Sequence, residues 1–239
     1  MNSTFMFGED NFKENEDFSI YYKEIGGKLS SSEINIIIRS IYDYLSERYP
    51  KEEYRENFPT LEESIETLFK NKFSTEEQTN IINTFAFHER GFIPQEYIDA
   101  LFELNEYFIL SVVIDIWAPK DMWIDTFKKH NINQFFKASS FSSDCKMVKP
   151  SPKPFINVVK QLGVQKKECL VIGDSIRRDL GGAINAGIDC VLVGGEEDEN
   201  TLSNFDNLLE FTQQVMANKT LEEKQGNTCD NSSVLASKS

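Results

Sequence analysis

The sequence predicts an α/β fold, a doubly wound parallel sheet with a small helical insertion near its start. Three observations carry this expectation. From residue 91 onward, short apolar runs alternate with segments of helical spacing, and the connections are long enough for parallel crossovers. Upstream of that, three capping boxes open consecutive amphipathic stretches. Third, residues 170–187 read as a buried strand, a glycine turn bearing acids, and a helix.

Taken in order, residues 1–12 hold a candidate first core strand, Phe5-Met6-Phe7-Gly8, and residues 13–90 form the helical insertion. After Ser30-x-x-Glu33, the residues Ile34, Ile37, Ile38, Ile41 and Leu45 make one apolar stripe. Leu61, Ile65, Leu68 and Phe69 follow Thr60-x-x-Glu63, and Ile81, Ile82 and Phe85 follow Ser74-x-x-Glu77. The tyrosines of this region, Tyr21, Tyr22, Tyr42, Tyr44, Tyr49 and Tyr54, read as half-buried helix-surface residues rather than as the mouth of a site.

Residues 91–198 are the α/β core. A helix with Tyr97, Ile98, Leu101 and Leu104 feeds a strand from Phe108 to Ile114, and Trp123, Ile124 and Phe127 mark the next helix. A strand near Phe136 to Phe141 follows. Ser151 as cap and Pro152 in the first turn then open a helix with Phe155, Val158, Val159 and Leu162. The strand Cys169 to Ile172 comes next, then a helix through Ala183 and Ala186 stopped by Gly187, then a last strand, Cys190 to Val193. Residues 199–217 are expected to form a final helix, and the polar, aromatic-poor residues 218–239 a disordered tail.

Composition narrows the function classes. With 39 acidic against 25 basic residues, a net charge of −14, the chain repels phosphate backbones and anionic lipid, so nucleic-acid and membrane-surface roles are disfavoured. No apolar run has the length of a transmembrane helix, and the start lacks the pattern of a signal peptide. Cys145, Cys169, Cys190 and Cys229 are scattered without metal spacing; Cys169 and Cys190 fall in core strands and read as reduced, consistent with the cytoplasm.

Three strand ends carry the chemistry. The strand from Phe108 ends in Asp115-Ile116-Trp117, Lys149 lies on the loop entering the Ser151 helix, and Gly173-Asp174-Ser175 with Asp179 lies beyond the Cys169 strand. Open α/β sheets place ligands at the carboxyl ends of their strands. Asp174 and Asp179 are hard oxygen donors suited to an octahedral divalent ion such as magnesium, and Lys149 can neutralise a phosphate or the aspartates beside it. Lys153 competes with Lys149 but reads as solvent-facing.

In this order the motifs resemble those of the haloacid dehalogenase superfamily, most members of which are magnesium-dependent phosphohydrolases with a Rossmann-like core. The resemblance is good over residues 84–195 and general before them. It implies that residues 13–90 are a cap closing over the site, that Lys149 offers charge stabilisation in catalysis, that Asp115, Lys149 and Ser175 bind phosphate, and that Asp174 and Asp179 hold magnesium. The chain also departs from the pattern. The phosphate-binding hydroxyl of the second motif falls on Ile114, and Ser111 is a poor substitute three residues earlier. Asp115 brings a negative charge to the same place.

The opening residues contain no Asp-x-Asp, and Met6 stands where the nucleophile belongs. Either Glu9 or Asp10 is a displaced acid, or the nucleophile is missing; a displacement of ångströms costs large rate factors. Phe5-Met-Phe-Gly reads as a decayed motif, which opposes the reading that the chain starts at the wrong Met. His88 reads as structural, and His130 as a cation at a helix end. The sequence therefore predicts a family member of low or absent phosphatase activity that binds a small phosphorylated metabolite or a protein partner. An active magnesium-dependent phosphomonoesterase is the alternative.

Overall fold

The computed structural model describes residues 3–219; Cys229 and the expected disordered tail beyond residue 219 lie outside the described residues. Four helices come first: α1 (Ser19–Glu24), α2 (Ser31–Arg48), α3 (Leu61–Phe69) and α4 (Thr75–Glu89). The Ser30 and Thr60 hydroxyls each accept the amide of the glutamate three residues on, and each glutamate carboxylate returns to the cap amide, closing both boxes. The third box closes by half. Ser74 accepts the Glu77 amide, but Glu77 is buried and its Oε1 has no hydrogen-bond partner among the described residues. The expected stripe of α2 is the buried one, Ile34, Ile37, Ile38, Ile41 and Leu45.

Helix α5 (Gln95–Tyr107) leads into β1 (Leu110–Ile114), which runs parallel to β2 (Phe136–Phe141) across α6 (Asp121–Lys129). His130 caps the end of α6, as expected. A short α7 (Ser142–Cys145) precedes α8 (Lys153–Leu162), whose first turn starts just after Pro152, with Ser151 Oγ accepting the Lys153 amide at 3.3 Å. Strand β3 (Leu170–Gly173) then passes through a π-helical turn (Ile176–Leu180) and α9 (Gly181–Ala186) to the parallel β4 (Asp189–Val193). Gly187 ends α9 in the left-handed region at φ +69°, where a side chain would be strained.

Every strand pairing within the sheets is parallel, but the sheet is divided in two: β1 with β2, and β3 with β4 and β5 (Ser203–Phe205). Two expectations are corrected here. Residues 199–217 are not one helix: 203–205 extend the sheet at the edge of β4, and a helix begins only at residue 208. Residues 1–12 form no core strand among the described residues. Phe7 instead makes a single antiparallel bridge to Phe92, with both amides bonded at 2.9 and 2.8 Å. The cause is local: Ser3, Gly8 and Asp10 all have φ near +60°, incompatible with a continuous strand.

The two sheets are joined by side chains. Phe155 and Val159 of α8 pack with Val113 of β1 and Val171 of β3 on one face. On the other face, one apolar cluster runs from Phe18, Ile38 and Phe85 of the helical region through Trp117 to Ile114 and Val193. Met6 is completely buried in it, and Phe5 stacks on Phe136. The helical region is thus packed onto the core through a shared apolar interior, and Tyr42, Tyr49, Phe58 and Phe85 surround the Trp117 ring.

Candidate functional site

At the carboxyl ends of β1 and β3 the polar groups are buried and paired. Lys149 Nζ lies 2.7 Å from Asp179 Oδ1, and both side chains are nearly sealed from water, 7% and 6% exposed. The other oxygen of Asp179 accepts the Ser175 amide at 3.2 Å. The aspartate crosses β3 so closely that a Cβ on Gly173 would sit 2.3 Å from its Cγ; glycine is required there by the approach of the acid. Burial alone would raise the Asp179 pKa, but the Lys149 charge and its hydrogen bond bring it below the usual carboxylate range. Burial alone would lower Lys149, and the charges of Asp179 and Asp115 outweigh it, raising the ammonium pKa.

Asp115 leaves the end of β1 toward the same lysine. Its Oδ2 accepts the Tyr49 hydroxyl at 2.6 Å and the Lys149 amide at 3.0 Å, while Oδ1 is buried with no hydrogen-bond partner among the described residues. Burial pushes its carboxyl up despite Lys149, and burial with the Asp115 charge pushes the Tyr49 phenol well above 10. Asp174 is held from two other sides. Its Oδ1 accepts the Thr4 hydroxyl at 2.9 Å and its Oδ2 faces Arg178 Nη2 at 3.6 Å. The charges of Asp174 and Asp179 favour the charged guanidinium of Arg178 against its burial.

The structure therefore brings Asp115, Lys149 and Asp179 into one network, with Asp174 linked to it through Arg178. Ser175 is beside them, but its hydroxyl accepts the Arg178 amide at 3.2 Å and so caps the π-helical turn. Ile114 is buried, and the Ser111 hydroxyl is buried with no hydrogen-bond partner among the described residues. Neither Glu9 nor Asp10 is bonded to Lys149 among the described residues: Glu9 Oε1 accepts Ser3 Oγ at 3.3 Å, and Asp10 donates its amide to the Glu89 carbonyl at 3.2 Å. Asp10 keeps much of its surface in solvent, which moderates the upward push on its carboxyl from desolvation and from the Glu9 charge. Lys153 is away from the network, paired with Glu56.

Three residues of the site, Thr4, Arg178 and Glu89, have no sequence signal. Tyr49 belongs to the tyrosines read as half-buried helix surface, and the structure instead bonds it to Asp115. Glu89 at the end of α4 is 4% exposed and accepts the amides of Trp117 and Ala118 at 2.6 and 2.9 Å, tying the helical region to the loop after β1. Burial pushes its carboxyl up to about 8 against those two amides. His88 beside it packs on Phe18 and lies 3.3 Å from Glu16.

Magnesium does not fit this arrangement. All four oxygens of Asp174 and Asp179 face protein donors, and no group of three His, Cys, Asp or Glu that could hold a metal occurs among the described residues. No helix among the described residues is long and apolar enough to cross a membrane.

Parallel strands wound with helices, with a buried lysine and acids at the strand ends, define an α/β protein with a polar site at the carboxyl edge of its sheets. The sequence profile of the haloacid dehalogenase-like hydrolases matches residues 31–193, and the chain belongs to that family. Among curated relatives, the chain is 31% identical to the glyceraldehyde 3-phosphate phosphatase of Methanopyrus kandleri over 113 residues, 45% of this chain and 48% of that protein. It is 27% identical to the pyrophosphatase PpaX of Halalkalibacterium halodurans over 138 residues, 57% of this chain and 63% of that one. To the phospholysine phosphohistidine inorganic pyrophosphate phosphatase of Xenopus laevis it is 37% identical over 68 residues. The chain spans a quarter to under two thirds of the length of these relatives. In fold it resembles a 2-haloacid dehalogenase of Pseudomonas syringae, with a TM-score of 0.56 at 16% identity over 90% of this chain and 94% of that one. A phosphatase of Thermococcus onnurineus gives 0.53 at 18% identity, covering 83% and 86%.

Proposed function

We propose that this chain is a haloacid dehalogenase-like protein of low or absent phosphatase activity, and that it works by binding a ligand or a protein partner. One observation carries the reading: the group facing Asp174 from the N-terminal segment is the Thr4 hydroxyl, at 2.9 Å, and Met6 is sealed in the apolar core. A threonine hydroxyl donating to a carboxylate is not a carboxylate nucleophile. Lys149 Nζ pairs with Asp179 and Ser175 Oγ accepts an amide of its own turn, so a phosphate would have to draw on their remaining donors. The helices over residues 13–90 would act as a cap held closed by Tyr49 and Glu89.

The second reading is a magnesium-dependent phosphomonoesterase using Glu9 or Asp10. It is favoured by the buried, unbonded Glu9 Oε2 and by the attraction between Asp10 and Arg178. It requires Asp174 and Asp179 to exchange their present donors for the metal. Hydrolysis of p-nitrophenyl phosphate with magnesium, compared between the native chain and Asp174→Asn, separates the two. Background rates in both support the first reading; turnover that the substitution abolishes defeats it.

A further inference from the structure

The acids at the end of β3 raise a question of charge. Asp174 and Asp179 leave one short turn together, and two carboxylates so placed repel each other unless a cation stands with them. Lys149 pairs with Asp179 at 2.7 Å, whereas the oxygens of Asp174 turn to Thr4 and Arg178. Arg178 is positioned by the chain itself. Ser175 Oγ accepts its amide, the π-helical turn carries it four residues beyond Asp174, and its side chain is only 37% exposed. Its guanidinium faces Asp174 at 3.6 Å, and the charges of Asp174 and Asp179 favour its charged form against burial.

We propose that Arg178 stands in for a divalent cation: its guanidinium, 3.6 Å from Asp174, together with Lys149 compensates the acid pair and excludes magnesium from it. A guanidinium carries a permanent charge, presents five donors and tolerates partial desolvation, which suits it to this place better than a lysine. Lys149 and Arg178 offset the charges of Asp179 and Asp174, and a divalent ion at that pair would have to displace one of them. The inference concerns metal occupancy and is separable from turnover: it can fail while the chain stays inactive, and hold whatever the rate.

The test is manganese titration of the full chain, read by electron paramagnetic resonance with no substrate present. The native protein and Arg178→Lys are expected to show no saturable site. Arg178→Ala and Arg178→Gln are expected to gain one, tightening manganese by roughly tenfold or more, the scale on which one nearby charge acts. Asp174→Asn added to either variant should remove it. Circular dichroism identifies a variant that fails to fold, and Arg178→Gln, which keeps shape and hydrogen-bonding capacity, then carries the comparison. A saturable site in the native chain that magnesium displaces and Asp174→Asn abolishes would overturn the proposal. So would folded Arg178→Ala and Arg178→Gln proteins that gain nothing.

Discussion

Replacing Lys149 by methionine keeps most of the side-chain volume and removes the charge, leaving the Asp179 carboxylate 6% exposed with one backbone amide as its remaining donor. Removing one partner of a buried ion pair typically costs about 3–5 kcal/mol, because the other charge is stranded. For a chain of this size each kcal/mol lowers the melting temperature by about 2–4 °C, so a fall of roughly 6–20 °C is expected at neutral pH. The pH dependence distinguishes this cause from loss of packing. In the native protein the Asp179 pKa is depressed, so its stabilisation is present above the unfolded carboxylate value and lost as pH falls through the folded one. Lys149 is raised, so its contribution is full below the unfolded lysine value and lost as pH rises through the folded one. The pair is therefore level across the neutral range. In Lys149→Met the stranded carboxyl must titrate upward, so the deficit should shrink as pH falls from about 7.5 to 5 and Asp179 takes up a proton. Urea unfolding at those two pH values, with Lys149→Met/Asp179→Asn as the double variant, reads both effects. A deficit under about 1 kcal/mol, or one that is the same at both pH values and not relieved in the double variant, would refute the buried-pair argument.

Two further outcomes follow from neighbouring groups. Glu89 has a folded pKa of about 8, raised from its ordinary 4.5, so the native state holds a proton that the unfolded state loses between those values. Its contribution should therefore weaken stability as pH rises through that window, by a few kcal/mol at most, about 1.4 per pH unit, and Glu89→Gln should flatten the slope in urea melts between pH 5 and 8. Gly173→Ala should displace Asp179, since the added methyl would meet its Cγ at 2.3 Å; a loss of about 2 kcal/mol or more is expected, and a variant as stable as the native chain would mean the acid is free to move.

Much of this was legible in the linear chain because it rests on local physics. Capping boxes and 3.6-residue stripes depend on neighbours within a turn, so α2, α3 and α4 begin where Ser30, Thr60 and Ser74 indicate. The apolar runs of β1 to β4 and the stop at Gly187 are local in the same sense. Lys149 and Asp179 were recognisable because the pattern that presents them is a strand end followed by a turn. Ser203–Phe205 was not, since a three-residue edge strand between polar residues is decided by the free edge of β4.

What the sequence by itself determined is the α/β class, the run of helices ahead of the sheet and the positions of the charged residues at the strand ends. Which charges meet was decided by the tertiary structure alone. The residues that complete the network, Thr4, Tyr49, Glu89 and Arg178, come from distant or unpatterned positions, and Thr4 is 170 residues from the aspartate it bonds. Buried polar groups must find partners wherever the fold brings them, and no spacing in the chain encodes that distance.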